Sequence, residues 1–255
     1  MKPEAYDRIY QNPILTELAA LGPHELTDPR VAGLSNGFLV VEDLERLVTH
    51  LAPALSSTEA QPPWLLDLGC GRGSLGRRLA TRLSARLVGV DGSPIAIEQA
   101  IKQATAVRSD RPDDRFVVGD FASTGLADGS VDAALSHDAL YMSEQPRAAL
   151  VEIGRVLRTG GLLTFTAYSS VPTAWEALAR SLDWSVEHIE DLTEPWRRIM
   201  RAKHERRWAH RHALRDRFGQ RVEPELSVTR SMLGLGGRPA AVDRIERRAI
   251  LLRRA

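Results

Sequence analysis

The stretch Leu65–Gly76, reading L-L-D-L-G-C-G-R-G-S-L-G, decides the fold. An apolar strand closes on Asp67, and Gly69, Gly71 and Gly73 then turn the chain into a helix that starts near Ser74. A residue without Cβ takes φ > 0 at low cost and lets a ligand approach the main chain closely. The helix that follows offers unpaired amide N–H groups and the positive end of its dipole. The segment predicts a strand, a tight loop and a helix built around a nucleotide-sized ligand, with Asp67, Gly69, Cys70, Gly71 and Gly73 as its contacts.

Outward from that loop, strand-like and helix-like segments alternate. Arg86–Asp91, Arg115–Asp120, Val131–His137, Leu162–Tyr168 and Trp184–Asp191 read as further strands, and Arg248–Arg253 as a last one. Ser74–Leu83 has Leu75, Leu79 and Leu83 at helical spacing. Ser93 caps a helix with Pro94 in its first turn, and Ile95, Ile97 and Ile101 are expected to face the sheet. Pro146–Leu157 is a helix expected to stop at Gly160-Gly161, and Pro172–Leu182 is another. Short apolar strands separated by helices predict a parallel sheet covered on both faces. About fifty residues rich in Arg, His and Trp follow the sixth strand and are expected to form a helical lid over the sheet's C-terminal edge. The organisation predicted is one domain over 1–255: a helical arm (1–55), a core (63–192), the lid (193–246) and a closing strand (247–255).

Two ligand patterns overlap in the loop. Gly71, Gly73 and Gly76 fit G-x-G-x-x-G, and Asp91 follows about 20 residues on, as in a dinucleotide fold. Read from Asp67, the run is D-x-G-x-G-x-G, and in this form it resembles the first motif of the class I S-adenosylmethionine-dependent methyltransferases. A carboxylate at the end of the first strand suits a cationic amino-acid ligand and is a liability beside a pyrophosphate. The resemblance continues in order over residues 60–192, about half the chain. Asp91 matches the acidic residue that takes the ribose hydroxyls, a role for which a carboxylate has enough lone pairs; Gly92 and Ser93 pass beside the sugar. Asp120 and Phe121 match the adenine site. Leu135–Met142, with Ser136 and His137, matches the segment beneath the amino-acid end of the cofactor. Leu157–Thr166 resembles L-R-P-G-G with Thr159 in place of the proline. Tyr6 and Tyr10 resemble tyrosines that close over the cofactor, and Ser35–Leu47 the turn and helix before the first motif. The resemblance implies a Rossmann-like, seven-stranded, mostly parallel α/β sheet with an antiparallel last strand. It also implies S-adenosyl-L-methionine as cofactor, S-adenosyl-L-homocysteine as product, and a metabolite or natural product as acceptor.

Methyl transfer from a sulfonium needs position, a dry site and in some cases a base. His137, Asp138 and Tyr141 follow the fourth strand directly, and His137 and Tyr141 are the catalytic candidates. The Arg- and Trp-rich run Glu194–Arg217 reads as a solvated basic face on a lid helix. It also suits a small-molecule acceptor carrying a carboxylate or phosphate, or RNA held by stacking and backbone contacts. A net charge of +1 argues against nucleic acid. A second class of reading keeps the cofactor but uses its sulfonium for a reaction other than methylation. One cysteine excludes a disulfide framework and a cysteine-rich zinc site, and no metal is expected. The opening Met1-Lys2-Pro3-Glu4 lacks an apolar run and no stretch is long enough to span a bilayer, so the expectation is a cytoplasmic protein without membrane contact.

Overall fold

The computed structural model describes Asp7 and residues 10–35, 38–56, 61–106, 113–169 and 174–255. Its centre is a seven-stranded sheet in the order β3-β2-β1-β4-β5-β7-β6. The strands are β1 (Trp64–Leu68), β2 (Arg86–Asp91), β3 (Arg115–Val118), β4 (Val131–Ser136), β5 (Leu157–Tyr168), β6 (Trp184–Asp191) and β7 (Arg247–Arg254). β1 to β5 pair in parallel, whereas β7 runs antiparallel to both β5 and β6.

Alternation along the central strands explains the two-sided packing. On one face Leu66, Leu68, Val88 and Val90 join Leu150, Ile153 and Val156 of α6 (Pro146–Val156) and Trp175 and Ala179 of α7 (Trp175–Arg180). On the other, Leu65, Leu87, Ala133 and Leu135 pack on Leu44, Leu47 and Leu51 of α3 (Val41–Leu55) and Leu75 and Leu79 of α4 (Ser74–Arg82). The short helices α1 (Pro13–Ala20) and α2 (His24–Thr27) precede α3, and α5 (Pro94–Ala106) joins β2 to β3. Ser93 caps α5, its hydroxyl accepting from the Ala96 amide at 3.1 Å. Strand order reverses at the β1/β4 junction, and the carboxyl ends of those strands flank the crevice where open α/β sheets bind ligands.

Three expectations are corrected. Leu157-Arg158-Thr159-Gly160-Gly161 does not stop a helix ahead of the fifth strand; β5 begins at Leu157 and contains it. The register slips between Val131 and Ala133, Gly160 sits at φ +77°, and a Cβ on Gly161 would lie 2.9 Å from the Asp132 carbonyl oxygen. The segment is therefore a bulge pressed against β4, which only glycine accommodates. Ile101 is 46% exposed, because Ala96, Ile97 and Ala100 form the inward face of α5. The third strand ends at Val118, leaving Asp120 beyond it in a small bridge with Ser123.

The region after β6 folds as α8 (Thr193–Ala209), α9 (Arg211–Phe218) and α10 (Glu223–Leu233). Trp196 of α8 meets the Tyr168 ring at the end of β5, edge to face with centroids 5.6 Å apart. Farther along, Leu214 and Leu226 pack against Ile14 and Leu18 of α1. The lid arginines expected in solvent mostly have partners: Arg198 pairs with Glu25, Arg217 with Glu17, and Arg206 donates to the Gly22 carbonyl. Arm and lid thus close on one another.

A buried charge cluster ties both to the sheet. Arg247 of β7 is 1% exposed and donates to both oxygens of Asp43 on α3 at 3.2 Å and to the Tyr168 hydroxyl at 3.0 Å. Its second terminal nitrogen lies 3.5 Å from Asp138, and its guanidinium covers the Phe38 ring at 4.7 Å. Burial disfavours the charge, but Tyr168 and the Asp138 and Asp43 carboxylates outweigh it and hold Arg247 above its ordinary pKa. Breaking a buried pair by removing one partner leaves an uncompensated charge. Arg247→Met is expected to lower unfolding stability by roughly 3–5 kcal/mol, read from urea denaturation; a loss no larger than that of a surface arginine would refute this role.

Candidate functional site

At the β1/β4 switch point lies a cavity of about 320 Å³, within the size range of small-molecule sites. Its floor is the loop 67–72, one wall is Val90–Gly92 with Gly119–Phe121, another is His137–Ala139 with Met142–Gln145, and the arm supplies Tyr10 and Gly33–Ser35. Gly69 is at φ +77°, and a Cβ there would approach Ala139 Cβ to 2.4 Å. Gly71 is at φ +55°, with the Tyr10 hydroxyl 2.9 Å from where its Cβ would stand. Both conformations and both close approaches require glycine.

The acidic residues hold the loop as well as line it. Asp91 accepts from the Gly71 amide at 2.8 Å and the Ser93 amide at 2.9 Å, one bond per carboxylate oxygen. Each oxygen keeps a further lone pair. Burial raises the Asp91 pKa, against those two amides. Asp67 lies beneath α4, its Oδ2 without a hydrogen-bond partner among the described residues; burial, with the Asp91 charge adding, pushes it up to about 7, offset in part by the nearby Gly76 amide. Burial and the charges of Asp67 and Asp91 also push the Cys70 thiol well up, which leaves it a packing group against Gly89.

Tyr10 sits over the loop. Its carbonyl accepts from Arg72 and Gln99, both at 3.3 Å, while Arg72 stacks at 5.7 Å from its ring centroid and donates to Gln99 at 2.7 Å. Asp7 accepts from the Ser93 hydroxyl. Tyr6 falls outside the described residues.

His137 has a geometry that determines its tautomer. Nε2 lies 2.6 Å from the Phe38 carbonyl oxygen. A carbonyl only accepts, so Nε2 carries the hydrogen, and in the neutral ring Nδ1 holds the lone pair. Nδ1 is buried and, among the described residues, has no hydrogen-bond partner. The neighbouring Asp138 is at φ +53°, accepts from the Phe38 amide at 2.8 Å, and takes the Thr166 and Tyr168 hydroxyls at 2.9 and 3.0 Å. Burial pushes Asp138 up, but His137 whenever its ring is protonated, the Arg247 charge and these hydrogen bonds outweigh it and hold the carboxyl below its ordinary value.

The cavity brings together Tyr10, Asp67, Gly69, Cys70, Gly71, Asp91, Gly92, Asp120, Phe121 and His137. Gly73, Ser93, Ser136 and Tyr141 are not in its lining. Gly73 packs against Phe116, where a Cβ would come to 2.4 Å. Ser136 donates to the Leu68 carbonyl at 2.7 Å and accepts from the Leu140 amide at 3.0 Å, so its hydroxyl is spent holding the switch point. Tyr141 stacks on Tyr168 with centroids 4.9 Å apart. Sequence reasoning missed the arm residues Gly33 and Leu34 and the clamp of Phe38 and Arg247 around Asp138; no local pattern marks them.

A family model described as a methyltransferase domain matches residues 66–165. Over that stretch the chain is similar to methyltransferases. It is 35% identical over 129 residues to a malonyl-[acyl-carrier protein] O-methyltransferase of Hahella chejuensis, a match covering 48% of this chain and 44% of that one. The chain spans about a third to a half of the length of the first curated relatives it matches. Among solved structures it resembles the [4+2]-cyclase SpnF (TM-score 0.73, 21% identity, 99% of this chain and 95% of that one). It also resembles a geranyl diphosphate C-methyltransferase from Streptomyces coelicolor solved with S-adenosylhomocysteine (TM-score 0.64, 19% identity, 99% and 98%). At these identities the likeness is one of fold. No helix among the described residues is long and apolar enough to cross a membrane.

The residues of the methyltransferase domain fit its cofactor. The glycines leave a cradle that side chains would fill, Asp91 offers unused lone pairs, and the half-buried Phe121 ring stands beside Gly69. One consequence is measurable without any ligand. Asp67 titrates near 7 in the fold against an ordinary 3.8, so its contribution to stability is full below about pH 4 and is lost as pH rises through 7. Asp67→Asn is expected to gain stability relative to the parent between pH 4 and pH 8, by a few kcal/mol, in urea titrations; a constant difference across that range would refute the assignment.

Proposed function

We propose that the protein transfers the methyl group of S-adenosylmethionine to a small metabolite or natural-product acceptor, with arm, core, lid and closing strand acting as one unit. The observation that carries this reading is the glycine cradle with His137 in its wall, the Nδ1 of that histidine having no hydrogen-bond partner among the described residues. When bound, the cofactor supplies an electrophilic methyl on a sulfonium whose thioether leaving group needs no acid. The chain's residues then have three tasks. Gly69, Gly71 and Asp91 hold the donor, and Tyr10 covers the loop from the arm. Phe38, Asp138 and the arm exclude water, which strengthens polar contacts inside.

His137 handles the proton. An acceptor hydroxyl or amine gives its proton to Nδ1 as its oxygen or nitrogen bonds to the methyl carbon and the carbon–sulfur bond breaks. The imidazolium formed keeps its Nε2–H on the Phe38 carbonyl, with the ionised Asp138 carboxylate 3.9 Å away to stabilise the charge. General-base assistance of this kind is worth about 10²–10⁴-fold.

Calorimetry with S-adenosylhomocysteine and with NAD tests the donor: binding of the former is expected, and binding of NAD alone would overturn the reading. With an acceptor found by screening for S-adenosylhomocysteine release, His137→Ala is expected to lower kcat by roughly 10²-fold or more while leaving S-adenosylhomocysteine affinity within a few-fold. Unchanged turnover at saturating acceptor would remove the base role.

A further inference from the structure

The inner face of α8 changes character along its length. Trp196 and Ile199 occupy the inward stripe in its first half and pack with Phe38 and Met232. The same stripe, continued at helical spacing, carries Lys203, His204 and Arg207. His204 is accounted for: Nδ1 lies 3.1 Å from the Thr229 hydroxyl of α10, and burial with the nearby cations pushes its pKa down to about 3, so it is a neutral packing group. The two cations that bracket it are not. Arg207 is 9% exposed, its Nε is fully buried, and among the described residues it has no hydrogen bond or ion pair. Lys203, half-buried one turn earlier in the helix, has none either among the described residues.

The contrast lies within the same helix. Arg197, Arg198, Arg201 and Arg206, on its outward sides, each reach a carboxylate or a carbonyl oxygen. A fold normally leaves an unpaired guanidinium in water, because burying an uncompensated charge is costly. Here two lie at i, i+4 on one face, so each also repels the other. Burial first and Arg207 second hold the Lys203 pKa down to about 8, while Asp138 and Glu225 act in the opposite direction. Asp138 cannot neutralise the pair: its oxygens already serve Phe38, Thr166, Tyr168 and Arg247. Glu225 on α10 forms an ion pair with neither cation.

We infer that Lys203 and Arg207 form a subsite for an anionic oxygen group, carboxylate or phosphate, on the acceptor. The inference rests on the methyl-transfer reading for what the subsite serves. The charge of Asp138 acts on Lys203, so the subsite lies on the lid side of the reacting end. An acceptor that fits places its nucleophile near His137 and its anionic end one to two helical turns along α8. Lysine and arginine side by side supply a point charge and a forked donor, a set suited to either oxyanion.

The test is calorimetry of the full chain, with and without S-adenosylhomocysteine, using inorganic phosphate and benzoate as probes and benzamide as the neutral control. Saturable binding of phosphate, benzoate or both, with none of benzamide, is expected, and the preference between the two distinguishes a phosphate from a carboxylate subsite. Arg207→Met and Lys203→Met are expected to weaken that binding at least tenfold and to leave S-adenosylhomocysteine affinity unchanged, which also shows the variants to be folded. Arg207→Lys is expected to retain part of it. Absence of saturable anion binding to the parent chain, or undiminished binding in both Met variants, overturns the proposal. Anion binding lost in the Met variants, from a parent that ignores S-adenosylhomocysteine, refutes the methyl-donor reading and leaves the subsite standing.

Discussion

The Arg247 guanidinium, enclosed by Asp43, Asp138, Tyr168 and Phe38, is the interaction on which the site's geometry depends. It joins the last strand to α3, to the end of β5 and to the segment after β4, none of which adjoin in sequence. A buried ion cluster is expensive to assemble. What it secures here is position. Asp138 grips the Phe38 amide, and the carbonyl of the same residue takes the hydrogen of His137. One arm residue is thus clasped by two consecutive residues of the cavity wall, and that clasp turns a histidine into one with a defined donor and a defined lone pair.

The cofactor end and the reacting end are built by different means. Around the loop, shape is set by backbone: glycines at positive φ, a carboxylate bridging two amides, and a small side chain wherever helix or ring presses close. Beyond β4, shape is set by charge, with one cation satisfying several acceptors and an aromatic layer of Tyr141, Tyr168 and Trp196 around it. Backbone-built geometry tolerates few residue types at each position. Charge-built geometry needs complementary partners from distant parts of the chain.

That difference explains what could be read in advance. The bounds of β2 and β6 were legible, and those of β1 to within a residue: β1 and β2 are apolar runs closed by a glycine and an acidic residue, and β6 sets Trp184, Val186 and Ile189 among polar residues and closes on Asp191. The loop was legible because a left-handed conformation is a local demand. His137 was legible as a residue following a strand, but its tautomer was not, since the deciding carbonyl is 99 residues away. The Asp43–Arg247 contact spans 204 residues and leaves no local trace. Ile101 misled because three isoleucines at near-helical spacing look like a stripe, yet the alanines beside them let the helix lie closer to the sheet. Arg207 was hidden among so many arginines that the whole segment read as a solvated face.

The arm is held very unequally along its length. Near Phe38 and Asp43 it is anchored by buried charge, and along α1 by apolar contacts with the lid. Over the cofactor loop its described ties include the polar ones of Asp7 to Ser93 and of the Tyr10 carbonyl to Arg72 and Gln99, with Arg72 over the Tyr10 ring. Such ties exchange with water at little net cost. An enzyme built this way would load and unload its nucleoside at the loosely held end, while the pocket for the other substrate kept its form between turnovers.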